Sequence, residues 1–161
     1  MRPSTIGLIA AAIATVVAGS ACAIILSLFA PGISPLMILA EMSPVPKVVV
    51  IFIILNMIGV TLTGLIGLLV TRRSERGPGG PEILLWVATG VCTVFGVLAA
   101  LYSELNTQIG IRAVGPVSFA VTAPSRAESL LALTVGLAGA TLALAFMVGI
   151  VNRRMGPRAK P

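Results

Sequence analysis

The sequence predicts an all-α integral membrane protein with four transmembrane helices and both termini cytoplasmic. Three observations carry this. Four apolar stretches, Ile6–Phe29, Val48–Val70, Ile83–Tyr102 and Leu130–Val151, hold no charged residue. Each reaches the roughly 20 residues that a helix needs to cross a hydrocarbon core about 30 Å thick. The 161 residues are 57% hydrophobic and only 10% charged, far from the composition of a soluble domain. Lipid offers the backbone no hydrogen-bond partners, so spans of this kind are helical.

The basic residues set the orientation. Arg2 precedes the first span; Arg72, Arg73 and Arg76 follow the second; Arg153, Arg154, Arg158 and Lys160 follow the fourth. Only Lys47, Arg112 and Arg126 fall on the opposite side. The positive-inside rule then puts both termini in the cytoplasm. Juxtamembrane arginines explain the basic tail without nucleic acid, since no aromatic side chains are interleaved with them.

The first span carries Ala10, Ala14, Ala18 and Cys22 at four-residue intervals, a small-residue face expected to seat a neighbouring helix. "ACA" at Ala21–Ala23 resembles a signal cleavage site, but the apolar run continues to Leu28 and reads as a retained anchor. The loop to the second span holds Pro31, Pro35, Pro44 and Pro46, and its apolar middle, "LMILAEM", suits the outer interface. Asn56, near the centre of the second span, reads as a helix–helix hydrogen-bonding residue. "RGPGGPE" then forms a hinge into the third span.

In the third span Thr89, Thr93, Gly96, Ala100 and Glu104 fall on one stripe. Trp86 and Tyr102 stand near its two ends, at the depth of aromatic belts. An outer loop, Asn106–Pro124, is expected next. Ser125 followed by Glu128 then reads as a capping box opening the fourth span. That span shows one face with Thr134, Leu137, Ala138, Thr141 and Ala145, and a small-residue face with Ala132, Gly136, Gly139 and Ala140 suited to close packing. The two spans bring hydroxyls and glycines to similar depth, with Glu104 and Glu128 in the outer water layer.

The five acids are all Glu and none lies mid-span; there is no His and no Asp. A haem, zinc or copper site is not expected, Cys22 and Cys92 read as small packing residues, and no cofactor is called for. With no nucleophile–base constellation, an enzyme is not expected.

Spans three and four resemble the second and third transmembrane helices of the MotA/TolQ/ExbB proton-channel family. The residues are "GVCTVFGVL" (Gly90–Leu98), with its G-x-x-T-V-x-G pattern, and "VTAPSRAESLLALTVGLAGATLAL" (Val121–Leu144). In the latter, A-P-x-x-A-E ends at Glu128 and Gly136-Leu137 follows eight residues on. The closing Asn152–Arg154 is similar to the family's helix end, and span two resembles its first helix more weakly. The resemblance implies a bacterial inner-membrane subunit, a homo-oligomer and specifically a pentamer, whose last two helices line a pore around an ExbD/TolR-like single-span partner supplying an Asp. In that picture the proton pore holds Thr93, Thr134 and Glu128, Glu104 is a further pore-mouth candidate, and Gly96 and Gly136 serve helix packing.

Three departures accompany it. The family's second pore hydroxyl falls at Leu133 here, and Thr134 is turned about 100° from that position. The family's long cytoplasmic domain is replaced by "TRRSERGPGGPE". The first span is extra, or replaces a short periplasmic N-terminus. The chain accordingly divides into residues 1–46 (extra helix and outer loop), 47–154 (three-helix membrane domain) and 155–161 (basic tail). Two other readings remain: a small four-span transporter, for which a membrane-embedded acid is missing, and a structural or assembly protein without transport.

Overall fold

The computed structural model describes residues 3–29, 32–70, 80–115 and 118–154. Among them the chain is all helical: α1 (Pro3–Phe29), α2 (Pro35–Glu41), α3 (Pro44–Val70), α4 (Gly80–Val114) and α5 (Phe119–Arg154). Four of these, all but α2, are long and apolar enough to cross a membrane. The basic tail 155–161 and most of the hinge "TRRSERGPGGPE" lie outside the described residues.

The helices alternate in direction. Leu8 clusters with Leu85 and Ile150, whereas Leu26 clusters with Ile38, Val50, Ala99 and Leu131. The start of α1 and the end of α5 are therefore at one end of the bundle. α5 is the hub, packed against α1, α2, α3 and α4. It buries Ala132, Ala140, Ala143, Met147 and Ile150, while Leu55, Leu69, Trp86, Leu98 and Leu101 are exposed around the outside. Large apolar side chains facing outward over whole helices are what a hydrocarbon solvent permits.

Close approach is built on glycine at two crossings. A methyl built on Gly96 would fall 2.9 Å from the Gly136 Cα, and one on Gly136 would fall 2.8 Å from the Cys92 carbonyl oxygen. α4 and α5 thus meet backbone to backbone. Gly64 of α3 lies directly against the Phe146 ring, and Phe52 and Phe95 meet at 5.5 Å between centroids across α3 and α4. The small face expected on span four is the face that packs.

Three expectations are corrected. Most of the expected loop Asn106–Pro124 is helical. α4 runs on to Val114 and stops at Gly115, whose φ of 94° and N–H bond to the Ile111 carbonyl (2.8 Å) make a left-handed helix stop. α5 begins at Phe119, placing Pro124 inside it. Residues 106–114 hold no proline, so polarity alone did not end the helix. Consequently Ser125 and Glu128 do not cap α5, because its first turn lies upstream of them. Finally, Ala10, Ala14 and Ala18 are exposed. α1 meets α5 instead through Leu8, Gly19 and Leu26: the two leucines supply dispersion contact, and Gly19 lies against Leu137.

Candidate functional site

Glu128 lies on the α3-facing side of α5. Its carboxylate accepts the Ser43 backbone N–H at 3.2 Å and the Ser43 hydroxyl at 2.8 Å. Ser43 immediately precedes α3, and its carbonyl accepts the Lys47 N–H. Pro44 and Pro46 remove two of the donors in that first turn. Glu128 therefore caps another helix, placing a negative charge at the positive end of α3. At the opposite pole Arg153 donates to the Leu68 carbonyl at 2.6 Å, in the last turn of α3. The offset is 85 residues at both contacts, so α3 and α5 run parallel and in register over 25 residues, about 37 Å. Those two contacts mark levels close to the two faces of a bilayer.

Beside the Glu128 contact lies α2. Ser34 caps it by accepting the Met37 N–H, and Lys47 Nζ donates to the Ala40 carbonyl at 2.6 Å. Ile38 and Met42 are buried toward α5, while Ile33, Leu36 and Met37 are exposed. The apolar segment expected at the outer interface is thus a short helix with one buried and one exposed side.

The remaining predicted site residues fall in three different places. Thr93 is half-buried on α4, one residue from Cys92, and its hydroxyl donates to the Thr89 carbonyl at 2.9 Å. Thr134 donates to the Leu130 carbonyl at 2.7 Å and lines an open cleft of about 500 Å³ between α1 and α5, with Thr15, Ser20 and Thr141. Thr93 is not in that lining. Glu104, half-buried at the same level of the bundle as Glu128, accepts from Gln108 Nε2 at 3.0 Å. It belongs to the stripe that borders the α5 contact, whereas Glu128 turns toward α3. Gly96 and Gly136 are brought together directly.

At mid-depth Asn56 Nδ2 of α3 donates to Cys92 Sγ of α4 at 3.5 Å, and a methyl on Gly139 of α5 would fall 2.8 Å from that sulfur. Asn56 is a helix–helix contact of the expected kind. Cys92 and Cys22 are both free thiols.

Sequence reasoning missed Ser43 and Arg153 as partners, and it missed a set of hydroxyls further out on α4 and α5. Thr107 Oγ1 and Ser125 Oγ touch, and each also reaches the Ser103 carbonyl, at 2.9 and 3.2 Å. One signal was present. Ser103 and Thr107 are one turn apart, as are Ser125 and Ser129, so each pair shares a helix face.

Comparison with known proteins decides little here: no family model matches the chain, and neither a curated protein nor a solved structure matches it.

Proposed function

We propose that this chain is a stator-like proton-channel subunit of an inner-membrane energy-transducing complex. In this reading it is multi-pass, with cytoplasmic termini, and assembles as a homo-oligomer, a pentamer. It works with an ExbD/TolR-like single-span partner whose Asp carries the proton. One observation carries the reading. The residues resembling the MotA/TolQ/ExbB motifs, Gly90–Leu98 and Val121–Leu144, lie in the two helices that meet at Gly96 and Gly136. Thr93 is within a turn of that crossing, and Glu128 is two turns outward on α5.

The division of labour follows from the charges. The four apolar spans contain no carboxylate, and a threonine hydroxyl orders water but holds no proton as a stable charge near neutral pH. This chain supplies the wall; the titrating acid comes from the partner. Coexpression with the neighbouring genes and native mass spectrometry of the gently extracted complex test this. A pentamer carrying an Asp-containing single-span chain is expected. A monomer or dimer without such a chain rejects the motor reading.

A second reading is favoured by a separate observation. Thr93 and Thr134 both donate to carbonyls of their own helices, and Glu128 is occupied by Ser43. A membrane assembly protein needs nothing further from them. Thr93→Val separates the two: client energisation is lost with assembly intact in a proton channel, and nothing changes in an assembly protein.

A further inference from the structure

The seam between α4 and α5 changes character along its length. At Gly96 and Gly136 the backbones touch, and Ala99, Ala100 and Ala132 close the seam beside them. From Ser103 outward it is lined by hydroxyls: Ser103 and Thr107 on α4, Thr122, Ser125 and Ser129 on α5. Thr107 Oγ1, Ser125 Oγ and the Ser103 carbonyl form a triangle. Its three contacts share two hydroxyl hydrogens, so one contact lacks a hydrogen of its own and an oxygen lone pair stays available. Ser129 Oγ donates to the Ser125 carbonyl at 3.1 Å.

Ser103 Oγ stands apart. The residue is 2% exposed, lies on the α5-facing side of α4, and its hydroxyl makes no hydrogen bond with the protein. A buried donor left in that state costs about 1–3 kcal/mol, and native proteins commonly resolve it with an internal water. Such waters make about two to four hydrogen bonds to polar groups that the fold leaves open. The triangle one turn outward offers acceptors at the right end of the seam.

We propose that the outer end of the α4–α5 seam is a water-binding site. A bound water accepts the Ser103 hydroxyl hydrogen and donates toward the Thr107 and Ser125 hydroxyl oxygens. Hydration enters from the outer end and stops where Ala99 and Gly96 close the seam. Between them, the hydroxyls and the carbonyl named here can both donate to and accept from water. This inference goes beyond the proposed function and does not depend on a partner. It has a consequence for that function: one chain offers no continuous water path along the α4–α5 seam, so a conducting path has to run elsewhere, between chains or along the α1–α5 cleft.

Silver-ion protection of single cysteines tests it. In full-length protein in nanodiscs, on a Cys22→Ala/Cys92→Ala background, Ser103→Cys, Ala99→Cys and the exposed control Gln108→Cys are treated with silver. The remaining thiol is then counted with maleimide after unfolding in SDS. Ser103→Cys is expected to be blocked as Gln108→Cys is, and Ala99→Cys to stay reactive. An unblocked Ser103→Cys overturns the water site, and a blocked Ala99→Cys overturns the closure. Ser103→Ala gives a second readout of opposite sign for the two cases. It lowers the melting temperature if the hydroxyl holds a water, and leaves it unchanged or raises it if the hydroxyl is merely orphaned.

Discussion

Glu128 shows how one side chain's neighbours decide its role. Its sequence neighbourhood, Ser125 three residues before it, describes a local cap. Its spatial neighbour is Ser43, 85 residues away. The helix that needs the carboxylate is α3, whose first turn has lost donors to Pro44 and Pro46 yet still presents its positive end. Glu128→Ala is expected to destabilise the fold by about 1–3 kcal/mol, because the Ser43 N–H loses its acceptor. Glu128→Gln keeps an acceptor and loses the charge, so it is expected to cost only about 0.3–1 kcal/mol. Thermal unfolding in one detergent compares them. In a double-mutant cycle Ser43→Ala and Glu128→Ala should cost less together than the sum of the single changes; strict additivity would mean the two side chains do not interact.

At the scale of the element, apolar length made the four spans legible, and the small face of span four was legible from its spacing. Neither the ends of α4 and α5 nor the role of α1's alanines was. The segment from Asn106 looked like a loop, yet it holds no proline before Gly115, and pairing with α5 gives Ser103 and Thr107 a buried partner face. Hydropathy finds where a helix is in lipid; it does not find where the helix stops. Likewise small residues mark where close contact is permitted, not where it occurs. The glycines make that distinction measurable. Gly96→Ala and Gly136→Ala put a methyl into opposing backbone and are expected to cost about 1–3 kcal/mol. Gly59→Ala and Gly90→Ala meet nothing within 4 Å and are expected to be neutral or stabilising by about 0.5–1 kcal/mol. Equal melting temperatures across all four would remove the Gly96–Gly136 crossing as a determinant of the fold.

For the whole molecule, the two polar contacts from α5 act as a frame. Glu128 holds the N-terminus of α3 and Arg153 its C-terminus, each with the charge that the helix dipole favours. The alternation of helices puts Arg153 and the start of α1 at one end, and in the sequence eight of the eleven basic residues flank the span ends assigned to that side. Glu128, Glu104 and the exposed side of α2 share the other. The positive-inside rule therefore predicts that Arg153 faces the cytoplasm and Glu128 the outside. Single cysteines at two exposed positions read this directly: Met37→Cys on α2 and Asn152→Cys at the end of α5. In intact spheroplasts an impermeant maleimide is expected to label Met37→Cys at once and Asn152→Cys only after permeabilisation. The opposite pattern would place Glu128 and the hydroxyl-lined seam on the cytoplasmic side. The proposed outer pore mouth would then be lost, while the frame that holds α3 to α5 would stand unchanged, because it depends on helix dipoles and not on which compartment each pole faces.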